Sequence, residues 1–303
     1  MPPIADRGVR QPRVCLHIGY PKTASTWLQR HVLSDPSGPF CTPWSHLDPM
    51  PNQPGRSHIA RRWTDPDANP HQAAEAVAAG NTAASLQGGV PALSEETLIG
   101  YIGDPGIDHD RLSRLRGLFP DASVLLTTRA PRSMARSCYA QSVIDGGTSD
   151  AAYFLRHHQS VEPGRGGRDP RSLGPAYLRY GEALTRLRTL WGNRRVWTFT
   201  LEDLRDNRPA VVAALRGWGG LPETWSLPAS AFEQRSNPSP GAAGVACLRR
   251  LNRVWPRRGP YELRWVERRL PLARAIDRVM GRRPAVDAAL LDRCRFGPME
   301  PSG

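Results

Sequence analysis

The segment that most restricts the fold is Arg13–Leu28. A mostly apolar run, Arg13-Val-Cys-Leu-His-Ile18, stops at Gly19 and gives way to Tyr-Pro-Lys-Thr-Ala-Ser-Thr-Trp-Leu28. A short apolar run ended by glycine predicts a buried strand, and Pro21 followed by Thr and Ser predicts a tight turn into a helix over Thr23 to about Leu33. The same grammar recurs along the chain. Val90–Leu93 predicts a second strand ending in Ser94-Glu95-Glu96, and Ser123–Thr128 a third running straight into Arg129-Ala-Pro-Arg and a helix to about Val143. Arg195–Thr200 predicts a fourth. Helical patterns fall between them at Pro70–Leu86, Asp110–Leu118 and Ala176–Trp191 (Leu178, Leu184, Leu187, Leu190), and after the last at Asn207–Trp218. Residues 34–57, rich in Pro, Gly, Ser and His, read as a long loop. Strands alternating with helices predict an α/β fold: a parallel sheet of four or five strands with helices on both faces, three layers in all. Ligands bind such sheets beyond the carboxyl ends of the strands, where each motif below falls.

The chain has 303 residues, enough for a single domain with a core over about 13–240 and a helical extension over about 241–303. No run approaches the ~20 apolar residues of a membrane span, and the charged start, MPPIADRGVRQPR, lacks the apolar core of a secretory signal. Five scattered cysteines without CxxC pairing fit a reduced, cytoplasmic protein with no structural zinc. The eight histidines show no metal-ligand spacing: His17 is expected to pack within a strand, and His46, His58 and the His157-His158 pair to lie at the surface.

Net charge is +13, and it is concentrated. Between Arg249 and Arg283 twelve arginines face Glu262, Glu267 and Asp277, a local balance of 12 − 3 = +9. Such an excess suits anionic partners. Trp255, Tyr261 and Trp265 are interleaved with the arginines, and Leu263, Val266 and Leu270 fall at helical spacing. A helix of that kind either packs on the core with a solvated arginine face or lies on an anionic membrane surface, so 249–283 is a candidate for peripheral membrane contact.

Forty of the 41 basic residues are arginine, and Lys22 is the only lysine. It sits in the strand-to-helix loop, where an opening helix turn offers unpaired backbone N–H groups and a positive dipole end to an anion. An ammonium is a compact charge able to follow a moving phosphate oxygen, which a planar guanidinium does less freely. Thr23, Ser25 and Thr26 add hydroxyls. The Walker A pattern does not fit, because the two glycine positions before the lysine hold Pro21 and Leu16.

Pro21-Lys-Thr-Ala-Ser-Thr-Trp-Leu28 resembles the 5′-phosphosulfate loop, PKTGTTWL or PKTGSTWL, of the sulfotransferases that use 3′-phosphoadenosine-5′-phosphosulfate (PAPS). The resemblance implies that Lys22, Thr23, Ala24, Ser25, Thr26 and Trp27 hold the 5′ end of PAPS, with Ala24 in place of the usual glycine. Arg129, Ser137 and Tyr139 match the spacing of the family's 3′-phosphate motif, with Ala130 replacing its asparagine. A forked guanidinium and a hydroxyl suit a phosphate. Ser94-Glu95-Glu96-Thr97-Leu98 resembles the SSE element of bacterial members, which implies Glu96 as the general base; Glu95 and then His46 are the alternatives. Glu202-Asp203-Leu204 is similar to a YEDL strand end with structural acids, and Arg235-Ser-Asn237-Pro-Ser239 to an RxNxS element near the cofactor. The KGxxGDW motif of the aryl and steroid enzymes is missing, so the likeness is to the bacterial carbohydrate-type branch.

The resemblance thus implies a P-loop sulfotransferase fold and in-line sulfuryl transfer to a hydroxyl or amine of a glycan, glycolipid or natural product. It implies PAPS as the donor and no metal. Two other readings stay open: a nucleotide kinase of related fold, and an arginine-rich nucleic-acid-binding protein, although nucleic acid is not the expected partner.

Overall fold

A computed structural model describes residues 13–47, 58–100, 102–104, 107–156, 172–174, 177–233, 240–254, 263–281, 283–294 and 296. The chain divides into two compact units, Met1–Ile99 with Asp108–Thr128 and Arg186–Glu233, and Gly100–Ile107 with Arg129–Thr185 and Gln234–Gly303.

The first unit contains the sheet. Its strands are β1 (Cys15–His17), β2 (Phe40–Cys41), β3 (Val90–Ser94), β4 (Ser123–Thr128) and β5 (Val196–Thr200). All pairings are parallel, in the order β2-β3-β1-β4-β5. The expected α/β fold is therefore present with five strands, and the order changes direction at β1. Register pairs Cys15 with Ala92 and Ser123, and His17 with Ser94 and Leu125. Because successive side chains alternate, Cys15, Ala92, Leu125 and Phe199 share one face, packed on Trp27, Leu28, Val32, Leu33, Val211, Leu215 and Trp218. Leu16, Leu93, Val124 and Leu126, on the other parity, are equally buried.

Two helical segments cover the first of those faces: α1 (Ser25–Leu28), continued by a π-turn over Gln29–Leu33, and α9 (Arg208–Gly219). Trp218 stacks on Phe40 at 5.2 Å and its indole N–H reaches the Ser123 carbonyl at 3.1 Å, which joins α9 to the sheet. The lone-pair side of that anchor matters too: the Trp218 carbonyl accepts from the Cys15 thiol. The alanine-rich helix, α3 (Pro70–Gln87), begins with Asn69 capping two backbone N–H groups and ends at Gly88 in the left-handed conformation. Gly80 sits inside it because Trp44 lies against that point; a β-carbon there would come within 2.0 Å of the indole nitrogen.

Three details differ from the sequence expectation. Helix α1 begins at Ser25, two residues after Thr23, because Lys22 and Ala24 have positive φ (70° and 78°) and break any helix there. The stretch read as a long loop contains β2, held by two residues of pairing plus the Val90 N–H on the Pro39 carbonyl. Helix α7 spans only Tyr180–Trp191. Between these, the smaller helices are α2 (Ile59–Trp63), α4 (His109–Leu118), α6 (Ala151–Phe154) and α8 (Asp203–Asp206).

In the second unit lie α5 (Pro131–Ile144), α10 (Ala242–Val254), α11 (Leu263–Met280) and α12 (Ala288–Asp292). The expected helical extension is thus present, and α10 packs on both α5 and α11. Trp255, Tyr261, His157, His158 and the Arg235–Ser239 element lie outside the described residues; Leu263, Trp265, Val266 and Leu270 fall within α11. Among the described residues no helix is long and apolar enough to cross a membrane.

Candidate functional site

The lysine loop is shaped from beneath. Pairing continues past β1 through the Ile18 N–H on the Leu125 carbonyl and the Tyr20 N–H on the Thr127 carbonyl. His17, Ser94 and Thr127 project from the same face at the carboxyl ends of three adjacent strands, and their side chains join. His17 Nδ1 is 2.8 Å from Ser94 Oγ, and His17 Nε2 is 2.9 Å from Thr127 Oγ1. Gln29 donates to Ser94 at 3.0 Å, and Thr23 Oγ1 lies 2.8 Å from Thr127 Oγ1 while donating to the Tyr20 carbonyl. All five side chains are buried. A buried polar group left unpaired costs ~1–3 kcal/mol, so these linked side chains fix the loop's base, with Gln29 Oε1 alone among their polar atoms unpartnered among the described residues. Gly19 is required above it, since a β-carbon would approach Thr127 Oγ1 to 2.3 Å and His17 Nε2 to 2.5 Å.

The network decides which loop groups can meet a ligand. Thr23, expected to offer a hydroxyl, spends it inside the protein; only its backbone remains for an anion. Trp27 is likewise a packing anchor: its indole N–H donates to the Ala231 carbonyl at 2.6 Å and its ring meets Phe199 and Phe232. Its place in the first turn still presents a backbone N–H, because the first intrahelical bond of α1 is from Leu28 to Ala24. Lys22 is exposed and Thr26 half-buried. Ser25 is 2% exposed, and its hydroxyl has no hydrogen-bond partner among the described residues. An orphaned buried hydroxyl at the start of a helix suits an anionic ligand.

Beside this loop lies the end of β3. The Glu95 N–H donates to the His17 carbonyl at 3.1 Å, continuing the β1–β3 pairing by one residue. The Glu95 side chain is fully buried, accepting the Arg61 backbone N–H at 3.1 Å and lying 3.3 Å from His58 Nδ1. Glu96 opens a short 3₁₀ turn, Glu96–Ile99, whose Leu98 and Ile99 are buried. The structure therefore gives the two glutamates different surroundings: Glu95 is tied to α2, and Glu96 begins the next turn. His46 is exposed, as expected of a surface residue. His58 is a third exposed, and its pairing with a carboxylate 37 positions away has no sequence signal.

In the second unit, Arg129 follows β4 directly and Pro131 opens α5. Arg129 Nε donates to Ser133 Oγ at 2.7 Å. Ser137 is 4% exposed, with its hydroxyl unpartnered among the described residues. Both serines and Arg136 line a cavity of about 330 Å³ with Arg129, Gly241 and Arg283. Ser133 and Ser137, four residues apart in α5, share one helix face, a signal by which Ser133 was readable. Arg283 was not readable, since it arrives from the far end of the chain. Tyr139 is buried; its hydroxyl accepts from Arg249 at 3.2 Å and faces the Ser149 carbonyl, tying α10 to α5.

Asp203 is structural, as its likeness implied: its carboxylate accepts from the Thr200 N–H and hydroxyl at 2.7 and 2.8 Å. Burial pushes the Cys15 thiol far above the ordinary range and raises Cys41 as well, so neither is a ready nucleophile. Among the described residues no group of three His, Cys, Asp or Glu side chains is placed to hold a metal ion.

No protein-family model matches the sequence, and no curated protein sequence matches it. Among solved structures the chain is similar to a sulfotransferase from Alicyclobacillus acidocaldarius, with 18% identity and a TM-score of 0.48, over 76% of this chain and 88% of that one.

Proposed function

We propose that this protein is a PAPS-dependent sulfotransferase that places a sulfuryl group on a hydroxyl or amine of a glycan, glycolipid or natural-product acceptor. The observation that carries the reading is the Pro21–Leu28 loop: the chain's one lysine, on a left-handed turn at the carboxyl end of the central strand, beside an orphaned buried serine hydroxyl. The residues fit the donor. Backbone N–H groups of Thr23–Trp27 and the Ser25 hydroxyl suit its 5′-phosphosulfate, and the Arg129 guanidinium with the Ser137 hydroxyl suits its 3′-phosphate. PAPS supplies the activated sulfuryl group when bound.

In this reading Lys22 meets the negative charge that develops on the departing phosphate oxygen. Glu96 accepts the proton of the attacking hydroxyl. By analogy with phosphoryl transfer, positioning and electrostatics provide most of the acceleration. No step calls for a metal.

The test is ligand-dependent thermal stability followed by turnover. The product nucleotide, 3′-phosphoadenosine-5′-phosphate (PAP), should raise the melting temperature well above AMP or ATP at equal concentration, growing with ligand as mass action requires. Incubation with PAPS and a panel of acceptors should then yield products heavier by one sulfuryl group in mass spectrometry. Equal stabilisation by PAP and AMP would remove the assignment of Arg129 and Ser137. ATP-dependent phosphorylation without any use of PAPS would favour the kinase reading.

A further inference from the structure

Helices α10 and α11 of the second unit carry an arrangement that the transfer chemistry does not use. One side of α11 is docked. Ala273 and Asp277, four residues apart, are buried, and the Asp277 carboxylate accepts the Gly241 and Gly244 backbone N–H groups at 2.6 and 2.8 Å. The contact is close: a β-carbon on Gly244 would meet the Ala273 carbonyl oxygen at 2.7 Å.

The other side of α11 is apolar and open. Leu272, Ala275 and Val279 are exposed, Leu272 by 47% and Val279 by 85%. Spacings of three and four place them in one stripe, turned away from Ala273 and Asp277. Met280, at the end of α11 and off the stripe, and Val254 at the end of α10 are exposed as well. Of the seven large apolar side chains exposed among the described residues, these two helices hold four. Arg278, on α11 itself, is exposed beside the stripe, and Arg250 and Arg253 on α10 are exposed as well. Of the three acids set against twelve arginines in 249–283, Asp277 is turned inward with both oxygens engaged.

We propose that the Leu272–Val279 face of α11 seats on a bilayer surface rich in anionic lipid. Charge complementarity selects an anionic partner, and the stripe selects its kind: a bilayer interface buries leucine and valine side chains between headgroups, whereas a nucleic acid offers them no comparable medium. An amphipathic helix with arginines flanking an apolar face lies in the plane of such an interface. Each flanking basic residue adds attraction that salt screens.

Flotation of the full chain with vesicles tests this. The chain should float with phosphatidylglycerol/phosphatidylcholine vesicles at low salt and stay behind with pure phosphatidylcholine. The double variant Leu272→Glu/Val279→Glu should partition about tenfold less or weaker still, since both apolar insertion and charge balance are lost. Arg278→Ala should weaken partition about fivefold. Melting temperature should be unchanged in both, because these side chains are solvent-exposed. Failure to float at low salt overturns the proposal. So does flotation that the double variant leaves intact, or duplex DNA binding that competes fully with vesicles and ignores Leu272 and Val279. PAP binding is measured on the same samples, so loss of vesicle binding is distinguishable from loss of the proposed activity.

Discussion

The two candidate anion sites are built on opposite principles. The loop of the first unit puts its charge on a single lysine and twists its backbone, with positive φ at Lys22 and Ala24, over a network of linked, buried polar side chains. The site of the second unit sets two serines and Arg136 of a regular helix, with Arg129 and Arg283 outside it, around a cavity, with no positive φ in α5. A charge on a pinned but strained loop suits a group that changes during the reaction, where exact placement lowers a barrier. Guanidinium groups around a cavity suit a phosphate that is held and does not react. The difference predicts that the first site governs turnover and the second governs affinity.

The largest effects should fall on the first unit. Glu96→Gln is expected to slow sulfuryl transfer on the order of 10²–10⁴-fold with PAP affinity nearly intact. Calorimetric titration of the variant with PAP beside its kcat measures both. Near-normal turnover would move the base to Glu95 and then His46. Lys22→Ala should cost roughly 10²–10³-fold in kcat and also weaken PAPS binding. Lys22→Arg should restore binding more than rate, because charge returns without the ammonium's placement. An arginine variant with full activity would break the comparison, since the first site would then work as the second does.

At the second site Arg129→Ala should weaken PAP about tenfold to a hundredfold, the usual worth of a hydrogen bond to a charged group, and leave AMP binding unchanged. Its kcat at saturating PAPS should stay near normal. A fall in kcat as large as that of Lys22→Ala would erase the distinction between the two sites.

The sequence made the two loops readable because each is local. A strand that stops at Gly19 or Thr128 and a motif directly behind it occupy consecutive residues, so periodicity and residue type suffice. What stayed hidden depends on partners far apart in the chain. Two-residue β2 is too short to show alternation and exists through Val90 and Pro91. The Glu95–His58 contact spans 37 positions, and Arg283 reaches a cavity opened by residues 129–140. The inward turn of the Thr23 hydroxyl was hidden for the same reason. Its partner Thr127 is 104 residues on, and only the parallel register of β1 and β4 brings the two together.

The smallest expected effect probes the strain itself. Ala24 has φ 78°, a left-handed conformation that an L-residue with a β-carbon adopts at a cost of ~1–2 kcal/mol and glycine adopts freely. Ala24→Gly removes that cost from the folded state. It also gives the unfolded chain more freedom, which opposes the gain by ~0.4–1 kcal/mol. The net expectation is a modest stabilisation of under about 1 kcal/mol, seen as a small rise in the urea midpoint with an unchanged slope. Lys22 shares the conformation, with φ 70°, but offers no such experiment, because its side chain is the one the proposed chemistry needs. The glycine variant therefore separates backbone strain from function. If it gains stability and loses kcat, rigidity at Ala24 serves turnover. If it gains both, the alanine is a tolerated burden, and the polar network below Gly19 alone fixes the loop. A loss of stability would mean that the packing of the Ala24 methyl against the core, together with the freedom gained by the unfolded chain, outweighs the strain.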